Sequence, residues 1–265
     1  MNINTSYELS DEHILEYRNN GFVYLPNLCS SDEIDYYGDH IRKVVKDRKK
    51  YETLIETKSD AYFMQTLNLR FDCTKVMDYA LSKRFGKIAV ELMGVKSVRI
   101  FHDQILFKEP RSQSTPFHQD LVYWPLDTKN AMGMWMALCD VTIDMGPVKF
   151  VKGSHKTGLL SHHTISDESE EYFDKIIDEK GYKVVSIPMR AGDATFHNGF
   201  LIHGAEENKT DMIREAMIVT FFEDGTRVIT DNDFRKNDAR IYLNNCKNGD
   251  KAESKINPVI WSHSW

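Results

Sequence analysis

Residues 214–223 have the sequence REAMIVTFFE, which is the most strand-like run in the chain. Its β-branched and aromatic residues are the types that strands favour. Seven similar runs come before it, separated by turn signals such as Gly146-Pro147 and Gly153-Ser154. These candidate strands are residues 95–108, 116–123, 132–142, 147–152, 183–188, 193–197 and 200–204. Eight short strands at this spacing predict a β-sandwich or a jelly-roll barrel.

The part of the chain before these strands favours helices. Ser10 is a candidate N-cap of a helix that ends before Gly21. Ser30 and Glu33 have the spacing of a capping box, in which each residue satisfies a backbone amide of the other, so a second helix should begin there. A further helix is expected over residues 74–93.

Two other segments complete the predicted architecture. The acidic segment 157–181 interrupts the strands and predicts an insertion, with a helix at 168–180, that forms a lid over one mouth of the barrel. The polar tail at 225–265 is expected to wrap the domain. We therefore predict a single domain of the α+β class with a mainly β core. Its helical N-terminal part at 1–94 packs on a double-stranded β-helix, a cupin-like jelly roll, at 95–224.

Charge and composition narrow the range of partners. The net charge of −6 at pH 7 gives no electrostatic reason to expect a nucleic-acid partner. No apolar run approaches the length of a membrane span, and the N-terminus is polar. The four cysteines form no C-x-x-C pair, which favours reduced thiols. We expect a cytoplasmic protein, a monomer or a homodimer, that acts on a small molecule.

The sequence TPFHQD at residues 115–120 contains the clearest candidate for a metal site. Side chains two residues apart on an extended strand point to the same side, so His118 and Asp120 can reach one ion. Together with a second histidine they would form the two-His, one-carboxylate face that suits iron(II). A structural zinc site would need four protein ligands, usually with cysteines, and the cysteine spacing does not offer them. The H-x-D pattern alone is also expected by chance in a chain with ten histidines.

The third ligand must come from a later strand, where His197 and His203 are both candidates. Arg214 follows His203 by eleven residues and begins the most strand-like run. A buried arginine facing a barrel interior is costly unless it meets an anion, and a dicarboxylate cosubstrate would supply one through bidentate pairing. A surface position at the end of a strand would also explain Arg214. The residues alone leave both choices open.

From Arg99 to about Phe222 the chain resembles the phytanoyl-CoA dioxygenase family of iron(II)- and 2-oxoglutarate-dependent oxygenases. The segments that carry the resemblance are HDQILFK at 102–108, FHQD at 117–120, YWP at 123–125, WMAL at 135–138, GP at 146–147, GSHK at 153–156, GD at 192–193, FH at 196–197, HG at 203–204, Asn208 and Arg214. They occur in the family's order and cover nearly half of the chain.

The resemblance implies a ligand set and an anchor for the cosubstrate. In this family the distal iron ligand is the histidine eleven residues before the cosubstrate arginine, so His118, Asp120 and His203 are expected to hold iron(II). No catalytic residue beyond these ligands is expected. Arg214 is expected to pair with 2-oxoglutarate, and His197 is left beside the ligand set or facing the substrate.

The resemblance also implies residues around the cosubstrate and the substrate. Gln104 is expected beside 2-oxoglutarate, with Gln119 and Trp135 as weaker candidates in the same pocket. Ala205 departs from the family, which commonly has a small hydroxyl residue there. Residues expected to contact substrate are His197, Tyr123, Trp124 and Phe117. Specificity is expected to come from 50–70, from 157–181 and from the tail after residue 225.

The expected reaction consumes O2 and 2-oxoglutarate and releases succinate and CO2, and ascorbate is expected to help maintain activity. Halogenating relatives have Gly or Ala at the position of Asp120, so hydroxylation or another oxidation is favoured over halogenation. The expected reaction is hydroxylation of an aliphatic C–H bond in a small molecule or natural product. Desaturation, epoxidation or cyclisation at the same iron centre is the first alternative. A non-catalytic cupin-like binding protein and a zinc hydrolase are alternatives from other classes, and both leave Arg214 unexplained.

Overall fold

The computed structural model describes residues 2–49 and 63–263. The described part contains six α-helices and thirteen β-strands. The helices are α1 (Asp11–Asn20), α2 (Ser31–Lys49), α3 (Thr74–Ala80), α4 (Lys83–Met93), α5 (Asp167–Lys180) and α6 (Asp233–Tyr242). The strands are β1 (Phe22–Leu25), β2 (Met64–Leu67), β3 (Ser97–Phe107), β4 (Thr115–His118), β5 (Leu126–Asp127), β6 (Ala131–Ala137), β7 (Val148–Val151), β8 (Val184–Ser186), β9 (Ala194–Asn198), β10 (His203–Ala205), β11 (Ala216–Glu223), β12 (Arg227–Val228) and β13 (Val259–Ser262).

Side-chain caps fix where the first helices begin. Ser10 accepts a hydrogen bond from the backbone of α1, and the helix ends at Gly21 in the left-handed conformation. Before α2, the Ser30 amide donates to the Glu33 carboxylate while the Ser30 hydroxyl accepts from the Glu33 amide. This is the predicted capping box. The single helix predicted over residues 74–93 is instead the pair α3 and α4, with a break between them.

Most strands belong to two antiparallel sheets. Seven strands form the larger sheet in the order β1-β9-β6-β11-β3-β13, with β2 also paired to β3. Four strands form the smaller sheet in the order β4-β10-β7-β8. Strands β5 and β12 pair separately. The described strands include no ladder that closes these sheets into a barrel, so the predicted jelly roll is present as two facing antiparallel layers.

Alternation along β11 shows how the larger sheet separates the core from the site. Met217, Val219 and Phe221 pack into the main apolar cluster with the N-terminal helices. Ile218 points to the other face and lines a cavity between the two sheets. The period of two residues expected of a strand therefore gives β11 one face for the helical layer and one face for the cavity.

All eight predicted strands are present. Seven are shorter than predicted, and β9 has the predicted length shifted by one residue. The strand predicted at 116–123 ends at His118, and residues 120–122 form a 3₁₀ turn. The insertion at 157–181 contains α5, which packs on β4. The tail contributes α6 and also β13, which extends the larger sheet through β3. Of the helices in the described part of the chain, none combines the length and the apolar composition of a transmembrane span.

Candidate metal centre and cosubstrate pocket

His118 and His203 are brought together by the pairing of β4 with β10. The two residues are direct partners in the antiparallel register, and their ring centroids lie 4.2 Å apart. Gly204 allows the strands to approach this closely, because a Cβ at that position would lie 2.6 Å from the carbonyl oxygen of Thr115. The two histidines are therefore positioned by backbone pairing and not by flexible loops.

Asp120 reaches the same point from just beyond the end of β4. Gln119 keeps an extended backbone, so the side chains of His118 and Asp120 point to the same side as predicted. Asp120 itself begins the 3₁₀ turn and does not belong to a strand, which corrects the expected position. The turn is held in place by the Leu121 amide, which donates to the carbonyl of Gly199.

Hydrogen bonds fix which nitrogen of each histidine is available to a metal. The Nδ1 atom of His118 lies 2.8 Å from the carbonyl oxygen of Pro116, and the Nδ1 atom of His203 lies 3.0 Å from that of Leu201. A carbonyl oxygen only accepts, so in each neutral ring Nδ1 carries the proton. Both Nε2 atoms are then left with free lone pairs, the arrangement seen in metal-binding histidines.

The electrostatics favour the protonation states that a metal requires. Burial, together with the neighbouring His118, lowers the pKa of His203 to about 3. Burial also lowers the pKa of His118. The pKa of Asp120 is lowered well below its usual value, because the surrounding histidines outweigh the opposing effect of burial. At neutral pH the site therefore holds two neutral imidazoles and one carboxylate, which carry a single negative charge.

The distances fit one ion between the three side chains. His118 Nε2 lies 3.9 Å from Asp120 Oδ1, and His203 Nε2 lies 3.8 Å from Asp120 Oδ2. Ligand atoms that each bind at about 2.1 Å can be at most about 4.2 Å apart. One ligand atom from each of the three residues lies within 4.8 Å of the others. The set can hold a divalent ion and leaves coordination positions open towards the cavity.

His197 lies next to this set but uses its Nε2 atom differently. Its Nε2 atom is 3.2 Å from Asp120 Oδ2, at hydrogen-bond distance. Its Nδ1 atom is buried and has no hydrogen-bond partner among the described residues. His197 is therefore close enough to hydrogen-bond the Asp120 carboxylate, whereas the 3.8 Å between His203 Nε2 and that carboxylate is wide enough for an ion.

Arg214 is a buried cation two residues before β11, where its backbone pairs with that of Lys108. Its side chain is 2% exposed, and its guanidinium donates to the carbonyl oxygens of Gly146 and Leu106. Among residues 2–49 and 63–263 no carboxylate pairs with it, and its Nε atom has no partner. Burial lowers the pKa of Arg214 to about 10. A cation held in this way is costly, and an anion in the cavity would remove much of that cost.

A cavity of about 670 Å³ connects Arg214 with the metal ligands. This volume is in the usual range for a site that binds a small molecule. Gln104 and Trp135 line it as predicted, and the guanidinium carbon of Arg214 lies 5.2 Å from the centre of the Trp135 ring. The remaining predicted residues on its wall are His197, Tyr123 and Trp124.

Gln119 and Phe117 lie outside the cavity lining. The Gln119 side chain is 1% exposed; it donates to the carbonyls of Gly158 and Phe200 and accepts from the amide of Leu160. Phe117 packs in an apolar cluster beneath α5. Both residues alternate with His118 and Asp120 along an extended backbone, so their side chains point away from the metal set. The positions expected for them beside the cosubstrate and substrate are therefore not found.

The cavity wall also includes residues that sequence reasoning did not single out. Asp238 and Tyr242 come from α6, His102 from β3, and 164–168 from the insertion. The insertion and the tail were expected to carry specificity, but no local motif marks the individual side chains of these two segments that reach the cavity. Residues 50–62, within the third segment expected to carry specificity, lie outside the described residues.

Two facing antiparallel sheets with a His-Asp-His set between them define a class of protein, the cupin-like metalloenzymes with a two-His, one-carboxylate site. A family model, Phytanoyl-CoA dioxygenase (PhyH), matches residues 17–216. The chain belongs to this family.

Relatives and solved structures agree with this assignment. A Phytanoyl-CoA dioxygenase domain-containing protein 1 homolog from Dictyostelium discoideum is 22% identical, over 85% of this chain and 95% of that protein. The peroxisomal phytanoyl-CoA dioxygenase of Homo sapiens is 25% identical over 77% of this chain, and the match spans 66% of the human protein. The crystal structure of the non-heme alpha ketoglutarate dependent carbocyclase SnoK from nogalamycin biosynthesis is similar, with a TM-score of 0.80, 25% identity, and coverage of 95% of this chain and 96% of that one.

Proposed function

We propose that this protein is an iron(II)- and 2-oxoglutarate-dependent oxygenase that oxidises an aliphatic C–H bond of a small molecule, with His118, Asp120 and His203 as the metal ligands. One observation carries the proposal. Arg214, a buried arginine without an acidic partner in the described part of the chain, lies in the same cavity as a metal-binding set. A dicarboxylate that also reaches the metal would satisfy both features at once.

Different residues bind the metal and the cosubstrate in this proposal. Iron(II) at this site would supply the activation of O2, coupled to the oxidative decarboxylation of 2-oxoglutarate to succinate and CO2. Arg214 binds the far carboxylate, and Trp135 forms the wall beside that guanidinium. Gln104, which accepts a hydrogen bond from Gln65, offers its amide to the same ligand.

Other contacts hold the metal set and cover the cavity. His197 fixes the orientation of the Asp120 carboxylate through its Nε2 atom. The insertion is tied to β4 through Glu170, which accepts from the Phe117 amide and pairs with Lys149 at 3.0 Å. This docking keeps the insertion residues on the cavity wall, where they help to exclude water from the reacting groups.

The alternatives differ in how well they explain the same residues. A non-catalytic cupin-like protein or a zinc hydrolase needs no anchor for a dicarboxylate, so both leave the buried Arg214 without a role. Desaturation, epoxidation or ring closure would use the same residues as hydroxylation. Asp120 is present where halogenating relatives have Gly or Ala, which favours hydroxylation or another oxidation over halogenation. Among these oxidations we propose hydroxylation.

The remaining parts of the proposal concern location and assembly. The four cysteines are free thiols, as expected in a reducing compartment, which supports a cytoplasmic protein. The substrate is proposed to be a small molecule, and the assembly a monomer or homodimer.

Comparing two histidine variants tests the ligand set. Removing a ligand should reduce iron(II) affinity more than removing a residue that orients one, whose loss costs about 10- to 100-fold. We therefore expect His203→Ala to abolish iron(II) retention, measured by anaerobic titration, and His197→Ala to weaken it only within that range. A larger loss in His197→Ala than in His203→Ala would overturn the assignment.

A further inference from the structure

Helix α6 places one carboxylate on the cavity wall, and this carboxylate has no partner among the described residues. Asp231 and Asp233, at the beginning of this helix, pair with Arg235 and Lys236 respectively. Asp238, one turn further along, lines the cavity and has no hydrogen bond or ion pair within the described ranges. Burial raises the pKa of its carboxyl to about 7. A negative charge there is costly to hold, and a bound cation would remove that cost.

Aromatic side chains line the cavity together with this carboxylate. Tyr123 and Phe234 lie 5.9 Å apart between ring centroids, and Tyr242 lies 5.2 Å from the ring of His102. Burial raises the pKa of both Tyr123 and Tyr242 to about 12, and the charge of Asp238 contributes to each increase. Both phenol rings also pack in the apolar cluster that contains Ala239, the residue after Asp238 on α6. Aromatic faces attract cations, most strongly where water is excluded.

His102 adds a polar atom to the same region. Its side chain is 4% exposed and lines the cavity, and its Nδ1 atom has no hydrogen-bond partner in the described part of the chain. Burial lowers the pKa of His102 to about 3, so the ring is neutral at physiological pH. A neutral imidazole has one nitrogen that accepts a hydrogen bond, which suits an N–H donor.

The charges on the cavity wall are segregated by sign. Arg214 is the only lysine or arginine among the lining residues that the structure describes. The acidic lining residues are Asp120, Asp167, Glu168 and Asp238. Arg214 packs with the apolar cluster around Trp135, whereas Tyr123 and Tyr242 pack with a different cluster. A phosphate or carboxylate on the substrate would meet repulsion at the Asp238 end, whereas a cation would be attracted there.

Tyr123 connects this end of the cavity to the metal ligands. Its backbone amide donates to the carbonyl oxygen of Asp120 at 3.0 Å, and its ring packs against Phe234 of α6. The charges of Asp120 and Asp238 both contribute to its raised pKa. A small molecule that places its charged group at Asp238 would therefore extend its carbon skeleton past Tyr123 towards the metal set.

We propose that the substrate carries a protonated amine, which Asp238 pairs with while Tyr123 and Tyr242 pack against it. This inference rests on the proposed function, because it assigns the substrate end of the same cavity. The amine is a recognition group that undergoes no chemical change, and the oxidised C–H bond lies elsewhere on the carbon skeleton.

Three probes of equal length test the inference: hexylammonium, hexanol and hexanoate. Each is titrated calorimetrically, without oxygen, into protein loaded with iron(II) and 2-oxoglutarate. We expect hexylammonium to bind most tightly and hexanoate most weakly. Asp238→Asn should weaken hexylammonium binding about 10- to 100-fold, the value of one charge-assisted contact. Asp233→Asn is the matched control, because Asp233 lies on the same helix and is 95% exposed; this variant should bind hexylammonium like the wild type.

The outcomes separate this inference from the function on which it rests. If 2-oxoglutarate fails to bind the wild type, the proposed function is wrong. If 2-oxoglutarate binds but hexanoate binds as tightly as hexylammonium, or Asp238→Asn has no effect, the amine inference is wrong. Asp238→Lys should reverse the preference towards hexanoate, and unchanged 2-oxoglutarate affinity in Asp238→Asn shows that this variant is folded.

Discussion

Replacing Arg214 by methionine separates the effect of this buried cation on stability from its effect on the binding of 2-oxoglutarate. Arg214 has no acidic partner among residues 2–49 and 63–263. Methionine keeps most of the length and the apolar bulk of the side chain but removes the charge. Burial lowers the pKa of Arg214 from 12.5 to about 10. Each tenfold change in an equilibrium constant corresponds to about 1.4 kcal/mol, so this decrease corresponds to about 3 kcal/mol for holding the charge in the cavity.

The hydrogen bonds of the guanidinium offset this cost. Arg214 donates to the carbonyls of Gly146 and Leu106, and each hydrogen bond from a charged group contributes about 1.5–3 kcal/mol. The two effects nearly cancel. We expect ligand-free Arg214→Met to unfold within about 4 °C of the wild type, which is the change that about 1 kcal/mol produces in a protein of this size.

Binding of 2-oxoglutarate should respond much more strongly. Removing one partner of a buried ion pair costs about 3–5 kcal/mol, which weakens binding at least about 100-fold. The assay is calorimetric titration of 2-oxoglutarate into manganese(II)-loaded protein without oxygen. Arg111→Met is the control, because Arg111 is 64% exposed and pairs with exposed Asp211. Wild-type affinity in Arg214→Met, or an equal loss in Arg111→Met, would refute the assignment of the anchor.

Two predictions concern stability. Arg84→Met leaves Glu33 buried without its partner at 2.7 Å, so the free energy of unfolding in urea should fall by about 3–5 kcal/mol, and adding Glu33→Met should restore most of it. A decrease of less than about 1 kcal/mol in Arg84→Met would contradict the stabilising role of this ion pair. The raised pKa of Asp238 means that the folded protein holds this proton more tightly than the unfolded chain does; the resulting stabilisation is complete below about pH 4 and is lost as the pH rises through about 7. The melting temperature of Asp238→Asn minus that of the wild type should therefore increase as the pH rises from about 5 to about 8. A difference that does not change with pH would contradict the buried environment assigned to Asp238.

The parts of the fold that were predictable are those with a strong local pattern. The strand at 214–223 was recognisable from its composition, and capping chemistry located the beginning of α2. Helix 74–93 was predicted without its break, where the Ser82 hydroxyl donates to the carbonyl of Ile3. That contact joins residues 79 positions apart, so no local pattern encodes it.

In the candidate site, too, the residues that a local pattern marks were predictable and the others were not. His118 and Asp120 were identified from their spacing, and that alternation also directs Phe117 and Gln119 to the opposite side. The family resemblance places Gln119 in the cosubstrate pocket, but the strand geometry turns its side chain, like that of Phe117, away from the cavity. Asp238 lies on a helix far along the chain, and its position on the cavity wall depends on how the tail folds back.

The central claim is most directly tested by measuring succinate when the protein is supplied with iron(II), 2-oxoglutarate and O2. The wild type should release succinate, even if slowly without its own substrate, and omission of iron(II) or O2 should stop the release. Asp120→Ala and Arg214→Met should both lose it, whereas Arg111→Met should retain it. Absence of succinate from the wild type under all these conditions, or release that persists in Asp120→Ala, would contradict the account.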